Sequence, residues 1–191
     1  EKDANDNLTG KRVTTSDYAS ASYYYVNKSS LPKVYGGFNT SLSWKGFDLS
    51  AIFAYSIGGY IYNRDITMIL HNGSLEGRDW STEILKRWTP ENRYTDVPAL
   101  STTSNNWNSA STRFLQNNSY MRLKNLTLSY DLPKQWISKL ALSSVQVFVQ
   151  GDNLFTIHRN QGLDPEQGIT GITYYRYPAM RTISGGINLS F

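Results

Sequence analysis

The chain has 191 residues, enough for one ordinary domain, and carries a net charge of +4. Aromatic residues make up 14% of it, with 14 Tyr and 14 Gly, a mixture that disfavours a helical bundle and favours short strands joined by turns. The charge is too small and too scattered for a nucleic-acid-binding protein, and the absence of Cys excludes disulfides and thiolate metal sites. No apolar run approaches the roughly 18 residues of a membrane-spanning helix, which leaves membrane-spanning strands open.

The first two predicted strands form a hairpin. Residues 1–34 are polar and predict a long loop. Over 35–44 apolar and polar side chains alternate, which is the period of a strand with one apolar face and one wet face. The alternation continues over 47–58, after a link at Lys45-Gly46 that is short enough for a hairpin turn. The apolar side of this hairpin comprises Phe38, Leu42, Trp44, Phe47, Leu49, Phe53 and Tyr55.

Residues 59–118 form a long connection with little periodicity. The segment 79–88 predicts a short helix, with Asp79 as its N-cap and Glu83 spaced four residues from Arg87. A connection of this length is usually functional or disordered.

Alternation returns over 120–131, with one irregularity. Leu126 and Leu128 lie on one side, but Arg122 and Lys124 share their parity. This mismatch requires either that this end of the strand lies above a hydrocarbon layer or that a β-bulge shifts the register.

The remaining elements continue the same rhythm. Residues 132–142 predict a short connection with room for one helical turn, and 143–157 predict a strand. A second long loop covers 158–180, and a final strand covers 182–191. The five predicted strands are thus joined by short, long, short and long connections in turn.

Strands of about 10 residues and alternating short and long connections are typical of outer-membrane barrels, although a soluble β-sandwich also alternates. Trp44, Phe47, Tyr120 and Tyr130 lie near strand ends, where barrels carry aromatic girdles. The first and last strands would run in the same direction and could not close an antiparallel barrel, so further strands must lie upstream or in another chain. The start at Glu1 rather than Met agrees with a processed chain or a piece of a longer one.

Several short runs occur in a characteristic order between residues 30 and 191: YGGFN (35–39), WKGFDLS (44–50), WTPEN (88–92), YMRLKNLTLSY (120–130), GDNLF (151–155), GLDPE (162–166) and RTISGGINLSF (181–191). In these runs the chain resembles the C-terminal part of SusC/RagA-type TonB-dependent transporters.

This resemblance implies an all-β fold, namely the last five strands (35–191) of an antiparallel transmembrane barrel of about 22 strands with a plugged lumen. It also implies that 1–34, 59–118 and 158–180 are extracellular, and that Phe191 is the signal read by the barrel-assembly machinery. The transporter would lie in the outer membrane of a Bacteroidota bacterium and contact lipid. Its substrates would be oligosaccharides or peptides. Its partners would be a SusD-like lipoprotein, the remaining barrel and plug, and the TonB complex, which would act through a segment outside this chain.

No catalytic, cofactor-binding or metal-binding residue is predicted. His71 and His158 lie on different loops without carboxylates at metal-ligand spacing. Asp164-Pro165-Glu166 is better explained as a turn than as a general acid and base set across a substrate.

The candidate contacts with substrate or with the partner lipoprotein are loop residues: Trp80, Trp107, Arg159, Asn160, Tyr174, Tyr175 and Arg176. Aromatic rings can stack on sugar faces while Asn and Arg donate hydrogen bonds, but the same rings could simply pack the loops. Two alternatives stay open, a soluble carbohydrate-binding β-sandwich and an outer-membrane enzyme such as a protease or lipase. The sandwich requires Leu49 and Phe53 in a dry core, whereas the barrel exposes them to lipid.

Overall fold

The computed structural model describes residues 9–11, 15, 17–73, 75–103, 106–138, 142–166 and 168–191. They form two compact units. The strand unit comprises Lys28–Asn63 and Leu115–Phe191, and the loop unit comprises Glu1–Asn27 and Arg64–Phe114. The described part of the predicted loop 1–34 contains neither helix nor strand up to Lys33, whereas residues 1–8, 12–14 and 16 lie outside the described residues.

The strand unit contains the following strands: β1 Val34–Trp44, β2 Phe47–Ile57, β3 Tyr60–Asn63, β4 Leu115–Asn117, β5 Tyr120–Asp131, β6 Ser144–His158, β7 Ile172–Thr173 and β8 Thr182–Ser190. The five long strands form one antiparallel sheet in the order β1-β2-β5-β6-β8. This confirms the five strands expected from the alternation. Within the described part of the chain, β1 and β8 are the edges of this sheet and each has one neighbour.

The short connections lie at one end of the sheet. Lys45 and Gly46 both have positive φ, 48° and 87°, as in the primed turns whose twist matches that of the flanking strands. A Cβ on Gly46 would also lie 3.2 Å from the Asp131 carbonyl oxygen. The connection between β5 and β6 contains the predicted helical turn, α2 at Lys134–Ile137.

One face of the sheet is apolar across all five strands. The register brings Leu49 opposite Leu128, Leu128 opposite Val149, and Val147 opposite Ile187. Phe38 stacks on Phe53 with ring centroids 4.7 Å apart. Exposed side chains on this face include Leu42, Trp44, Phe47, Leu49, Leu128, Val147, Val149, Ile183, Ile187 and Leu189.

This exposure contradicts the β-sandwich alternative. A sandwich would bury Leu49, Val147 and Leu189 between two sheets, but these side chains are 39%, 41% and 51% exposed. They lie on the same side of a single sheet rather than facing one another.

A β-bulge at Lys124 resolves the parity mismatch in β5. Ile52 pairs with Asn125 and Phe53 pairs with Leu123, so Lys124 is an extra residue in β5. The extra residue places Met121 and Leu123 on the apolar face and Arg122 on the polar face. Of the two explanations that the sequence left open, the structure shows the bulge.

The polar face carries hydrogen bonds between neighbouring strands. Asn125 Nδ2 donates to Asp152 Oδ1 at 2.8 Å, and Gln146 Nε2 donates to Asp131 Oδ1 at 2.9 Å. Asn188 extends the second pair by donating to Gln146 Oε1 at 3.2 Å. These bonds tie β5, β6 and β8 together on the face opposite the apolar one.

A small second sheet was not predicted. Its order is β4-β3-β7, and β3 pairs with β7 in parallel. These strands have four, three and two residues, too few for a visible alternation. The loop 59–118 therefore begins and ends with short strands.

The loop unit is built from short helices around a small core. It contains α1 at Arg64–Ile69 and 3₁₀ helices at Thr82–Lys86, Asn106–Asn108 and Thr112–Phe114. Leu70, Ile84 and Val97 form its core, with Ile66 and Trp107 packed against them.

The helix predicted at 79–88 is wrong in extent and in type. The segment forms a 3₁₀ helix of five residues, and Ser81 rather than Asp79 caps it by accepting a hydrogen bond from the Glu83 amide. Because a 3₁₀ helix brings residues three apart together, Glu83 pairs with Lys86 at 2.7 Å and not with Arg87.

Candidate functional site

A cavity of about 350 Å³ lies on the polar face of the large sheet, at the end of the strands that carries the long connections. The sheet contributes Arg122 from β5 and Asn153, Thr156 and His158 from β6. The rest of the wall comes from the connection between β6 and β8, through residues 162–165, 176, 178, 179 and 181. We call it the loop-end cavity.

Arg122 anchors the wall of this cavity to the sheet. Its Nη2 donates to Asp164 Oδ1 at 2.5 Å, its Nη1 donates to Glu166 Oε2 at 2.8 Å, and its Nε donates to Thr156 Oγ1 at 2.9 Å. Lys124 adds a second contact to the Glu166 carboxylate at 2.5 Å. The bulge makes this possible because it turns Arg122 to the polar face, where its side chain is only 4% exposed.

Asp164 organises the backbone around it. One carboxylate oxygen accepts from the Glu166 amide at 2.9 Å, and the other accepts from the Ala179 amide at 2.6 Å. Burial raises the pKa of the Asp164 carboxyl, but the two amides and the Arg122 guanidinium outweigh burial and hold that pKa below its ordinary value. Asp164 is therefore an ionised structural anchor, which agrees with a turn rather than with a general acid.

Two arginines border the backbone segment that Asp164 and Asn153 hold. Ala179 is bonded to Asp164, and the Met180 carbonyl accepts from Asn153 Nδ2 at 3.2 Å. Arg176 and Arg181 lie on either side of these residues, and both line the loop-end cavity.

Four of the other predicted contact residues lie on the same long connection as Arg176 but differ in exposure. Arg159 is exposed, whereas Asn160 is only 4% exposed and donates to Asn118 Oδ1 at 2.9 Å. Asn118 in turn donates to the Pro165 carbonyl at 2.8 Å, so Asn160 supports the connection between β6 and β8 through Asn118. The exposed rings of Tyr174 and Tyr175 contact each other with centroids 4.0 Å apart.

Trp80 lies in the loop unit against His71. Its indole Nε1 donates to His71 Nδ1 at 3.1 Å, and the Gly73 amide donates to the same nitrogen at 3.3 Å. Because Nδ1 accepts both bonds, the neutral ring carries its proton on Nε2. His71 is 1% exposed while Trp80 is 47% exposed, so the histidine holds the tryptophan at the surface.

Trp107 packs within the loop unit. Its indole Nε1 donates to the Leu70 carbonyl at 2.5 Å, and the Arg113 guanidinium carbon lies 3.3 Å from the centre of its ring. These contacts favour the packing interpretation of this tryptophan. Phe191 directly follows β8 and is 91% exposed.

The structure also identifies residues that the sequence analysis did not propose as site residues: Arg122, Lys124 and Arg181. The parity mismatch of Arg122 and Lys124 was the signal that could have identified them. A charged residue on the apolar parity of a strand requires either a bulge that moves it to the other face or a partner of opposite charge. Over the described ranges, no group of three His, Asp or Glu residues is placed to hold a metal ion, and no helix is long and apolar enough to cross a membrane.

Comparisons with known proteins identify relatives of most of the chain, although no family model matches it. The chain is 33% identical over 166 residues to TonB-dependent receptor P3 of Formosa agariphila, covering 81% of this chain and 16% of that protein. It is 27% identical over 168 residues to TonB-dependent receptor SusC of Bacteroides thetaiotaomicron, covering 87% of this chain and 16% of SusC.

Solved structures of the RagAB peptide importer have the same fold. In the closed-closed state one importer chain matches with a TM-score of 0.81 and 35% identity, covering 100% of this chain and 20% of the importer chain. In the open-open state the TM-score is 0.80 and 94% of this chain is covered. The chain thus spans between 16% and 20% of the length of these relatives. Sequence and structure together make it a homologue of one segment of the TonB-dependent receptors of the SusC/RagA type.

Proposed function

We propose that this chain is the C-terminal part of the barrel of an outer-membrane, TonB-dependent importer of oligosaccharides or peptides. In this proposal the apolar face of the sheet contacts lipid and the polar face lines the lumen. The long connections are extracellular, and the short links face the periplasm. A plug and the TonB-contacting segment would lie elsewhere in the complete receptor.

The observation that carries the proposal is the exposed apolar face that runs unbroken across all five long strands. A contiguous apolar surface of this kind is unfavourable in water. It marks an interface with lipid or with another protein. The opposite face is polar and bonded between strands, which is the alternation that a lumen and a bilayer impose together. Trp44, Phe47 and Tyr130 lie side by side at the short-turn end, where a barrel has its aromatic girdle.

The proposal includes a SusD-like lipoprotein as partner, since the relatives include SusC and the RagAB importer. The exposed loop residues Trp80, Arg159, Tyr174, Tyr175 and Arg176 are its proposed contacts with that lipoprotein or with substrate. Asn160 and Trp107 hold the loops that present them. The solvent-facing aromatic rings suit either a sugar face or a peptide side chain. Phe191 remains the proposed assembly signal.

Cell fractionation and uptake test the proposal. The complete receptor should remain in the outer-membrane fraction after salt washing and should require detergent for release. Cells supplied with an oligosaccharide or peptide mixture as nutrient should lose uptake when either the receptor gene or tonB is deleted. Recovery of the receptor in the aqueous fraction, or uptake that is indifferent to tonB, would refute it.

A further inference from the structure

We propose that the loop-end cavity binds a carboxylate group of the transported molecule, through Arg176 and Arg181. This inference rests on the proposed function, because it names the chemistry of the substrate that the receptor would accept. It concerns a cavity that lies at the mouth end of the polar face.

The cavity wall has more cations than anions. Among its described residues, three guanidinium groups, those of Arg122, Arg176 and Arg181, stand against the single carboxylate of Asp164. Arg122 is fully engaged, since all three of its nitrogens donate to Thr156, Asp164 and Glu166. The positive charge of the other two arginines is therefore not neutralised by the wall.

Neither Arg176 nor Arg181 has a hydrogen bond or an ion pair with another described residue of the chain. The Arg176 guanidinium lies beside Gly168, where an added Cβ would be 3.7 Å from Arg176 Nη2. A guanidinium offers planar, paired donors that match the two oxygens of a carboxylate. Two such groups on one concave wall therefore favour an anionic group over a neutral one.

The wall is held in place before any ligand arrives. Asp164 fixes the Ala179 amide and Asn153 fixes the Met180 carbonyl, which lie between the two arginines. Asp164 is itself held by Arg122 on the rigid strand β5. Because the backbone is already ordered, binding would cost less conformational entropy than it would in a free loop.

The size and position of the cavity suit one acidic unit of a larger molecule. At about 350 Å³ it is near the lower end of the range for small-molecule sites, roughly 300–1,000 Å³. Two sources share the required chemistry, a uronic acid of an oligosaccharide and the C-terminal carboxylate of a peptide. A positive cavity at the mouth of a lumen would also attract such anions from solution.

The test uses the complete receptor purified in detergent and four probes: trigalacturonate, neutral galactotriose, N-acetylated trialanine and the neutral amide of N-acetylated trialanine. Calorimetric titration should show tighter binding of an acidic probe than of its neutral counterpart. The double variant R176Q/R181Q should weaken binding of that acidic probe by about 10-fold or more, because it removes the two charged groups whose donors match the carboxylate oxygens. Trigalacturonate and trialanine distinguish the two sources of the carboxylate.

The matched control is R93Q, which removes an exposed guanidinium of the loop unit that does not line the cavity. It should leave the affinity for the acidic probe within about 2-fold, because its guanidinium is not part of the cavity wall and solvent screens its charge. Equal binding of acidic and neutral probes, or an equal loss in R93Q, would overturn the proposal. The proposal would also be overturned if R176Q/R181Q gave no folded receptor and the wild type showed no preference for acidic probes. The arginines would then pair within the receptor.

Binding to purified receptor does not depend on transport. If the receptor fractionates with the outer membrane but binds all four probes alike, the proposed carboxylate site is wrong, whereas the proposed importer function is not contradicted.

Discussion

Arg122 is the residue on which the loop-end cavity depends most. Its side chain is 4% exposed and its partner Asp164 is 7% exposed, so neither group can exchange the other for water. Removing one partner of a buried pair leaves an uncompensated charge, which costs about 3–5 kcal/mol. The Lys124–Glu166 pair is 33% and 38% exposed and is correspondingly better solvated.

We therefore predict different effects from R122Q and K124Q. R122Q should lower the local opening free energy of residues 162–181 by about 3–5 kcal/mol, because Asp164 loses its buried counter-charge. K124Q should lower it by less than about 1 kcal/mol, as for exposed ion pairs. Hydrogen–deuterium exchange at the Ala179 and Glu166 amides of the complete receptor measures both. Similar exchange in the two variants would contradict this ranking.

The stability of the loop that Asp164 anchors should also decrease at acid pH. Because its folded pKa lies below its ordinary value, its contribution to stability is fully present above the ordinary Asp pKa of about 3.9 and is lost as pH falls through the lower folded value. Protection of the Ala179 amide, after correction for intrinsic exchange, should therefore fall only at acid pH. In D164N protection should be weak already at neutral pH and should lack this acid step, and an unchanged acid step there would assign it to another group.

At the residue scale the sequence predicted the parity mismatch of Arg122 and Lys124 in β5 and a bulge as one explanation of it, but not the ion pairs that these residues form. Arg122 and Lys124 stood out because they broke the alternation of β5, and Asp164-Pro165-Glu166 stood out as a turn. Their pairing joins positions 42 residues apart, which no local pattern encodes. The distinction between exposed Arg159 and buried Asn160 was equally invisible, since it depends on Asn118 from a distant part of the chain.

At the scale of elements, the long strands depend on strict alternation between two solvents. Adding one residue to a strand moves every side chain beyond it to the other face. One alanine inserted between Thr127 and Leu128 should therefore force apolar side chains of β5 into the lumen or break its pairing with β2 and β6. We expect little or no folded receptor in outer membranes, measured by heat-modifiable migration in electrophoresis.

The matched control is one alanine inserted after Tyr94, which is 100% exposed in the loop unit. Loops tolerate insertions because few backbone bonds are displaced. This variant should give a normal amount of folded receptor, and equal tolerance of both insertions would argue against the two-solvent explanation.

The same alternation explains which elements were predictable. All five long strands were expected to within two residues, because lipid and lumen select opposite side chains at every position. The second sheet and α1 were missed because they are short and are held by distant partners, as when the Tyr62 amide donates to the Gly171 carbonyl at 2.7 Å. The 3₁₀ helix at Thr82–Lys86 was mistaken for a longer helix because Ser81 and Asp79 are both acceptable N-caps.

At the scale of the whole molecule, the two faces of the sheet should respond oppositely to charge. Val149 is 55% exposed on the apolar face, and Gln150 follows it on the polar face. V149K should destabilise the receptor in the membrane by about 2–4 kcal/mol, the cost of a lysine near the bilayer midplane. Q150K places its charge in a wet lumen beside Asp152 and should change stability by less than about 0.5 kcal/mol. Urea unfolding in lipid vesicles measures the difference, and equal shifts would contradict a lipid-facing Val149.

The bare sides of β1 and β8 have a practical consequence. Each presents a row of backbone amides and carbonyls to which another extended chain can add. In a complete barrel, neighbouring strands would occupy both rows, but in a polypeptide restricted to this sheet both rows would stay open to water or to further copies of the same polypeptide. The apolar face would reinforce such stacking. We therefore expect an isolated fragment to form insoluble fibres, which would make it unsuitable as a small substitute for the receptor.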